Sequence, residues 1–153
     1  TIAGDCEVEM LLAEPYLAAP LRRSDCSLVS DGAAALVLVA GDRARRVCER
    51  PAWIRGIDHR VEPHALGARD LATSPSTRLA GERAGVGRGP VDVAELHAPF
   101  THQEWILRAA LGLGDAVRVN PSGGALAANP MMAPRGRGAP RGGPRHLGAV
   151  PAA

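Results

Sequence analysis

Residues 33–40, AAALVLVA, form an unbroken apolar run that directly follows the turn-forming sequence Ser30-Asp31-Gly32. A continuous run of this length is typical of a β-strand that is buried on both faces. Such strands lie in parallel sheets whose two faces are covered by helices. The run therefore points to an α/β fold.

Helix and strand patterns alternate along the chain. Strands are predicted at residues 52–60, 91–96 and 117–120, and helices at residues 41–50, 74–84 and 101–113. Asp42 and Ser74 are the expected N-caps, and Pro75 fits the first helical position. In the last helix one side carries four apolar residues: Trp105, Ile106, Ala109 and Leu113. The alternation predicts a mixed, largely parallel sheet with helices on its faces.

A different pattern precedes the apolar run. Residues 11–23 are interrupted by Pro15 and Pro20, so they are predicted to form an extended connector rather than a helix. A chain of 153 residues is long enough for one domain with its own core. The formal net charge is +2, but residues 134–153 hold four Arg and no acidic residue. Since the remainder is slightly acidic, we do not expect the whole chain to bind nucleic acid.

Three cysteines, Cys6, Cys26 and Cys48, are odd in number and lack a Cys-x-x-Cys spacing. We therefore expect free thiols in a reducing cytoplasm, with neither a disulfide framework nor a metal site. No apolar run reaches the length of a membrane span, and the first residues lack the form of a signal peptide. A cytoplasmic location without membrane association is the expectation.

His97 follows the predicted strand VDVAEL directly, within the sequence ELHAPFTHQE. A histidine at the carboxyl end of a parallel strand lies at the edge where α/β active sites form. Taken alone, a histidine that satisfies nearby backbone groups is the more common outcome. His102, together with Gln103 and Glu104, fits a solvated first helical turn in which the acid is favoured by the helix N-terminus.

The second candidate site is the segment NPSGGALAANPMM, which follows the predicted strand VRVN. Small residues such as Gly123 and Gly124 let a backbone or a ligand approach closely. A tight turn between strands explains a Gly-Gly pair equally well. The pair is therefore weak evidence of function on its own.

The order of three motifs is more specific than any one of them. A strand SDGAAALVL is followed by a strand with His-x-x-Phe, at His97 and Phe100, and then by a strand with Asn-x-x-Gly-Gly, from Asn120 to Gly124. This arrangement resembles the C-terminal half of the thiolase superfamily over residues 11–132. It looks closest to the sterol-carrier-protein-X type, or lipid-transfer-protein, branch, where the first motif reads His-Asp-Cys-Phe.

The resemblance implies a thiolase-like half-fold that acts on acyl-CoA thioesters without a cofactor. It implies that His97 helps to form an oxyanion hole for the thioester oxygen. Substrate contacts are implied for Gly123, Gly124 and Phe100. Asn129 stands where the family has a catalytic His, and it can donate a hydrogen bond but cannot act as a general base near neutral pH. This change argues against standard thiolysis, and the alternative is retro-aldol cleavage or a related carbon–carbon reaction.

Neither catalytic cysteine of the family has a counterpart, because the nucleophile lies in the family's N-terminal half and no cysteine follows Cys48. The sequence therefore predicts a fragment of a thiolase-like acyltransferase or lyase of lipid or sterol metabolism, inactive alone. The alternatives are a non-catalytic acyl-CoA-binding or scaffold subunit and a polyanion-binding tail. The resemblance also implies a homodimer and, for some members, a small OB-fold, zinc-ribbon partner protein.

Residues 134–153 consist almost entirely of Pro, Gly, Arg and Ala, which predicts a disordered tail. Such segments bind RNA, but no aromatic residue interleaves with these arginines to stack on bases. Since all four residue types have G/C-rich codons, we hypothesise a frameshift or a mis-assigned reading frame near Met132. The expected organisation is a connector (1–24), an incomplete thiolase-like domain (25–133) and the tail (134–153).

Overall fold

A computed structural model of the chain describes residues 6–65 and 67–130. Within these residues the α-helices are α1 (Val8–Ala13), α2 (Gly41–Val47), α3 (Pro75–Ala84), α4 (Thr101–Leu111) and α5 (Gly124–Ala127). The strands are β1 (Tyr16–Ala18), β2 (Leu21–Arg22), β3 (Val29–Ser30), β4 (Val93–Ala94), β5 (Arg118–Val119) and β6 (Asn129–Pro130). The predicted tail and the last residues of the predicted domain lie outside the described residues.

The strands pair two by two. β1 and β2 are antiparallel, whereas β3 pairs with β6, and β4 with β5, in parallel. Helices mixed with mostly parallel strand pairs agree with the predicted α/β class and are consistent with a thiolase-like fold. In the described part of the chain the strands form three separate pairs rather than the one sheet that was expected.

Helix α3 begins where the sequence predicts it, with Ser74 as N-cap and Pro75 in the first turn, and it ends before Gly85, whose φ is +100°. Its cap differs from the prediction, because the Ser74 hydroxyl does not bond to the helix backbone. Instead the Glu62 carboxylate accepts from the Ser76 amide at 2.8 Å and from the Ser74 hydroxyl at 3.3 Å. Hydrogen bonding from Ser76 lowers the pKa of Glu62. A carboxylate distant in sequence therefore caps the helix.

Helix α4 packs one side against the small core below β4. The buried residues there are Leu96, Ala98 and Leu107, and the half-buried Leu111 packs against them. The predicted apolar side is only partly correct: Leu113 packs against this core, whereas Trp105 is 70% exposed. The core-facing positions lie four residues apart, at Leu107 and Leu111, as helical geometry requires.

The prediction of a buried strand at residues 33–40 is wrong. The apolar run is not hydrogen-bonded as a strand to any described residue, and Leu36, Val37 and Leu38 are 76%, 88% and 71% exposed. The predicted strand at residues 52–60 is also absent apart from a single β-bridge at Trp53, and Ile54 and Ile57 are exposed. A strand needs a neighbour that supplies its hydrogen bonds, and the described residues contain no strand paired with either segment.

Two smaller predictions are also corrected. Residues 11–13 are helical, as part of α1, and β1 and β2 form a hairpin within the expected extended connector. The N-cap of α2 is Ala40, while Asp42 lies in the first turn and forms an ion pair with Arg46 at 3.4 Å. No helix of the described residues is long and apolar enough to cross a membrane.

Replacing Gly56 by Ala is expected to lower the free energy of unfolding by about 1–3 kcal/mol. A Cβ at Gly56 would overlap the backbone carbonyl of Ala84 at the end of α3, and backbone cannot move aside easily. Urea denaturation measures the change. Gly89→Ala is the matched control, since nothing lies within 4 Å of its Cβ position. Equal midpoints for the two variants would contradict the packing of residue 56 against α3.

Candidate functional site

The two predicted site motifs follow neighbouring parallel strands. Val93 is paired with Arg118 and Ala94 with Val119, so β4 and β5 end at the same edge. We call residues 95–100 the histidine loop, which follows β4, and residues 120–124 the glycine loop, which follows β5. The structure therefore brings the backbones of the two loops together at one carboxyl edge, as expected for the strands of an α/β fold.

Side chains join the two loops beyond the strand pair. The Glu95 carboxylate accepts from the Ser122 amide at 3.0 Å and from its hydroxyl at 2.6 Å. In the other direction, the Asn120 Oδ1 accepts from the Leu96 amide at 2.7 Å. Each loop thus contributes one side chain that binds the backbone of the other.

His97 projects from the histidine loop into solvent. Its neighbours Leu96 and Ala98 are 7% and 1% exposed, whereas His97 itself is exposed. The Ala98 amide donates to the Leu96 carbonyl at 3.1 Å, so His97 lies at the centre of a three-residue turn whose two flanking side chains are buried. No described residue forms a hydrogen bond with the His97 side chain, so the alternative in which it satisfies local backbone groups is not observed there.

Phe100 ends the histidine loop and immediately precedes α4. It is half-buried, its amide donates to Gln103 Oε1 at 3.3 Å, and its ring stacks on the exposed His102 with centroids 5.9 Å apart. Phe100 also forms an antiparallel bridge with Cys26. These contacts give Phe100 a packing role, and a contact with substrate stays a prediction.

The glycines of the second loop are required by its backbone. Gly123 and Gly124 have φ values of +92° and +57°, in the left-handed region. A Cβ on Gly123 would lie 2.7 Å from the Cβ of Ala127, and one on Gly124 would lie 2.8 Å from the Cγ of Asn120. The tight-turn interpretation therefore accounts for both residues, and a role in admitting substrate stays a prediction.

A short segment at residues 26–30, which we call the strap, connects the remaining predicted residue to this edge. The Ser27 amide donates to the carbonyl of Pro99 at 2.8 Å, in the histidine loop. Two residues further on, Val29 pairs with Asn129 in the parallel β3–β6 pair. Because two extended residues span roughly 7 Å, the strap brings the backbone of Asn129 near the histidine loop.

Two carboxylates at this edge were not predicted to have these roles. Glu104, expected in a solvated turn, is half-buried and accepts from Asn120 Nδ2 at 2.8 Å. Asp25 accepts from the Arg22 amide at 2.9 Å and from the Thr101 hydroxyl at 2.9 Å, which ties the start of the strap to α4. Hydrogen bonding from the Arg22 backbone, and then from Thr101, lowers the pKa of Asp25. Glu104 and Asn120 are 16 residues apart, and Asp25 and Thr101 are 76 residues apart. A local sequence pattern therefore does not predict either hydrogen bond.

The three cysteines form no disulfide. Cys6 and Cys48 are exposed and Cys26 is half-buried, and all three are free thiols. Within residues 6–65 and 67–130, no group of three or more His, Cys, Asp or Glu is arranged to hold a metal ion. The polar groups at the described edge are the exposed His97 imidazole, the Glu95 and Glu104 carboxylates and the backbone of the glycine loop.

No family model matches the chain. It is 31% identical over 148 residues to an acetyl-CoA acetyltransferase of Methanothermobacter thermautotrophicus, covering 88% of this chain and 39% of that protein. It is 38% identical over 106 residues to a 3-oxoadipyl-CoA/3-oxo-5,6-dehydrosuberyl-CoA thiolase of Escherichia coli, covering 67% of this chain and 26% of that protein. An acetyl-CoA acetyltransferase of Methanocaldococcus jannaschii is 31% identical over 155 residues, with 84% and 40% covered.

The homologues of this chain are thiolases and acetyl-CoA acetyltransferases. These similarities support membership of the thiolase superfamily. The chain spans about two fifths of the length of the two acetyltransferases and about a quarter of the Escherichia coli thiolase. The resemblance to the thiolase superfamily that was inferred from the three motifs is confirmed, and the sterol-carrier-protein-X branch stays a prediction.

Replacing Asp25 by Asn is expected to reduce stability at neutral pH and to flatten its response to acid. The pKa of Asp25 is held below its usual 3.8, foremost by the Arg22 amide. A carboxylate with a lowered pKa contributes stability that is present above about pH 4 and is lost as the pH falls through the folded-state pKa. The deficit of the variant should therefore be largest near pH 7 and shrink below about pH 4.

Urea denaturation of both proteins across this pH range measures the deficit. Asp92→Asn is the matched control, since Asp92 is exposed and its side chain is tied to no other described element. A deficit that stays constant down to acidic pH would show that the Asp25 carboxylate does not clamp the strap to α4.

Proposed function

We propose that this chain is the C-terminal part of a thiolase-like acyl-CoA acyltransferase or carbon–carbon lyase. The observation that carries the proposal is the meeting of the histidine and glycine loops at one strand edge, fixed by Asn120 and Glu95. One relative is named for CoA thioesters and others as acetyl-CoA acetyltransferases. Thiolases use such thioesters and need no cofactor, so acyl-CoA is the proposed substrate.

His97 is the proposed oxyanion-binding residue. Its imidazole is exposed at the edge, while the buried Leu96 and Ala98 on either side hold the backbone in place. A preorganised hydrogen-bond donor near the thioester oxygen stabilises the negative charge that develops on that oxygen when the carbonyl is attacked. The role requires only that the imidazole N–H donate, so it needs no general base at this position.

Asn129 distinguishes the proposed reaction from standard thiolysis. Its amide can donate to an oxyanion, but it takes up no proton near neutral pH and therefore cannot activate a cysteine. We assign the nucleophilic cysteine of any acyl transfer to the part of the relatives that this chain does not span. With Asn129 in place of His, retro-aldol cleavage, or a related carbon–carbon reaction that needs no activated cysteine, is the reaction that fits the residues best.

The branch and the assembly are finer parts of the same proposal. The His-x-x-Phe motif at His97 and Phe100 supports the sterol-carrier-protein-X type branch and a role in lipid or sterol metabolism. A homodimer and a small OB-fold, zinc-ribbon partner belong to the same resemblance.

A non-catalytic acyl-CoA-binding or scaffold subunit is the second candidate. It is favoured by Ala98, which is 1% exposed in the core where the branch has a polar Asp. It is also favoured by Asn129, which removes the base. In this alternative the loops hold the thioester without turning it over.

A pair of ligands tests the role of His97. Calorimetric titration would use an acyl-CoA and its thioether analogue, which lacks only the carbonyl oxygen. We expect His97→Ala to lower the affinity for the thioester by about three- to tenfold, the equivalent of one hydrogen bond. The affinity for the thioether should stay unchanged. His59→Ala is the matched control, since His59 is exposed and lies outside both loops.

Equal weakening of both ligands, or of neither, would remove His97 from the oxyanion hole. Binding that ignores His97, combined with no turnover when the missing thiolase portion is supplied, would favour the scaffold. Absence of binding by either ligand would contradict the proposal as a whole.

A further inference from the structure

Asn120 occupies an unusual place at the start of the glycine loop. Among the described residues, Asn120 alone has a positive φ without being a glycine; its φ is +48°. Its amide still belongs to the strand pair, donating to the Ala94 carbonyl at 2.8 Å. Its own carbonyl accepts from the Gly123 amide at 2.8 Å, which closes the turn. The residue therefore ends β5 and begins the loop in one step.

The side chain of Asn120 binds two further elements with its two ends. Oδ1 accepts from the amide of Leu96, next to His97, at 2.7 Å. Nδ2 donates to Glu104 Oε2 at 2.8 Å, on the first turn of α4. An amide has one accepting end and one donating end, and the two partners, a backbone N–H and a carboxylate, fix which end lies where.

The glycine loop also rests on this side chain. A Cβ at Gly124 would lie 2.8 Å from the Asn120 Cγ and 3.0 Å from its Nδ2. The backbone of Gly124 therefore lies directly against the amide. The histidine loop, α4 and the glycine loop all meet at the one side chain.

We propose that Asn120, oriented by Glu104, is the positioning residue that sets the separation between His97 and the Gly123-Gly124 turn. It acts through the Leu96 amide and through contact with Gly124, without touching substrate. The inference rests on the proposed function for its consequence on thioester binding. The geometry that it predicts at His97 can be measured without any ligand.

The polarity of the contact makes a charge-reversal test possible. Asn120→Asp keeps an acceptor for Leu96 but places a carboxylate oxygen against the Glu104 carboxylate, and like charges at this distance repel. Glu104→Gln keeps an acceptor for Asn120. In the double variant the introduced amide donates to the introduced carboxylate, so the bond re-forms with its polarity reversed. A bond that positions the loops is restored in the double variant.

Three readouts apply to the whole chain: the thermal midpoint, the imidazole ¹H–¹⁵N signals of His97, and the thioester-to-thioether affinity ratio. We expect Asn120→Asp to lower the midpoint by about 2–4 °C, the scale for a chain of this length. It should also shift the His97 signals and reduce the affinity ratio by about three- to tenfold, as His97→Ala does. Glu104→Gln alone should change little, and the double variant should return all three readouts toward wild type.

Asn120→Gly separates the amide from the backbone, because glycine adopts positive φ without strain. We expect it to reproduce the His97 shift and the reduced ratio, while thioether binding stays unchanged. It also keeps the inference testable if Asn120→Asp does not fold. His97 signals and an affinity ratio that remain as in wild type would overturn the positioning role.

Failure of the inference and failure of the proposed function are distinguishable. If wild type binds neither ligand, the proposed function fails, and the His97 signals of the variants still decide the role of Asn120. If wild type binds the thioester but the double variant does not restore the His97 signals, the function stands and the positioning role is wrong.

Discussion

The parallel pair formed by β4 and β5 is too short to hold the two loops on its own, and the side chain of Asn120 extends it. The ladder bonds run from Arg118 to Asp92 and from Asn120 to Ala94. Beyond the end of β4, the amide of Leu96 in the histidine loop bonds to the Asn120 side chain rather than to backbone. The backbone carbonyl of Asn120 accepts from Gly123 in the turn, so the side-chain Oδ1 of Asn120 is the acceptor for the Leu96 amide. The sheet edge and the turn can therefore coincide at one residue.

The strap adds a second constraint from the other end of the chain. Asp25 bonds to Thr101, 76 residues away, and Ser27 bonds to Pro99 in the histidine loop. These contacts close a long loop of the chain, and closing it costs conformational entropy. The folding of the segments that the contacts join must offset that cost. The same segment then pairs with Asn129. Three parts of the proposed site thus depend on one stretch that contains none of its proposed catalytic residues.

The sequence predicted the elements whose signals are local. The Ser-Pro start of α3, the helix that follows Phe100, and the two strands that lead into the motifs were all placed correctly, although β4 and β5 are shorter than expected. The apolar run at residues 33–40 was not, because its burial depends on neighbouring strands and the run itself cannot supply them. Glu104 was misjudged for a related reason, since its partner is 16 residues away on another element. The sequence predicted that each motif follows a strand, and the structure revealed the edge that they share and the bonds that join the two loops there.

Ala98 explains how the histidine loop keeps its shape with an apolar residue after His97, where the branch proposed for this chain has a polar one. The side chain is 1% exposed and lies with Leu96 and Leu107 in the core cluster. Packing at the two positions that flank His97 fixes the backbone, and Asn120 fixes the Leu96 amide. An apolar anchor contributes packing alone, so the position of the imidazole depends on the backbone that Leu96 and Ala98 hold in place. That arrangement suits a residue whose proposed task is to donate a hydrogen bond from a fixed position.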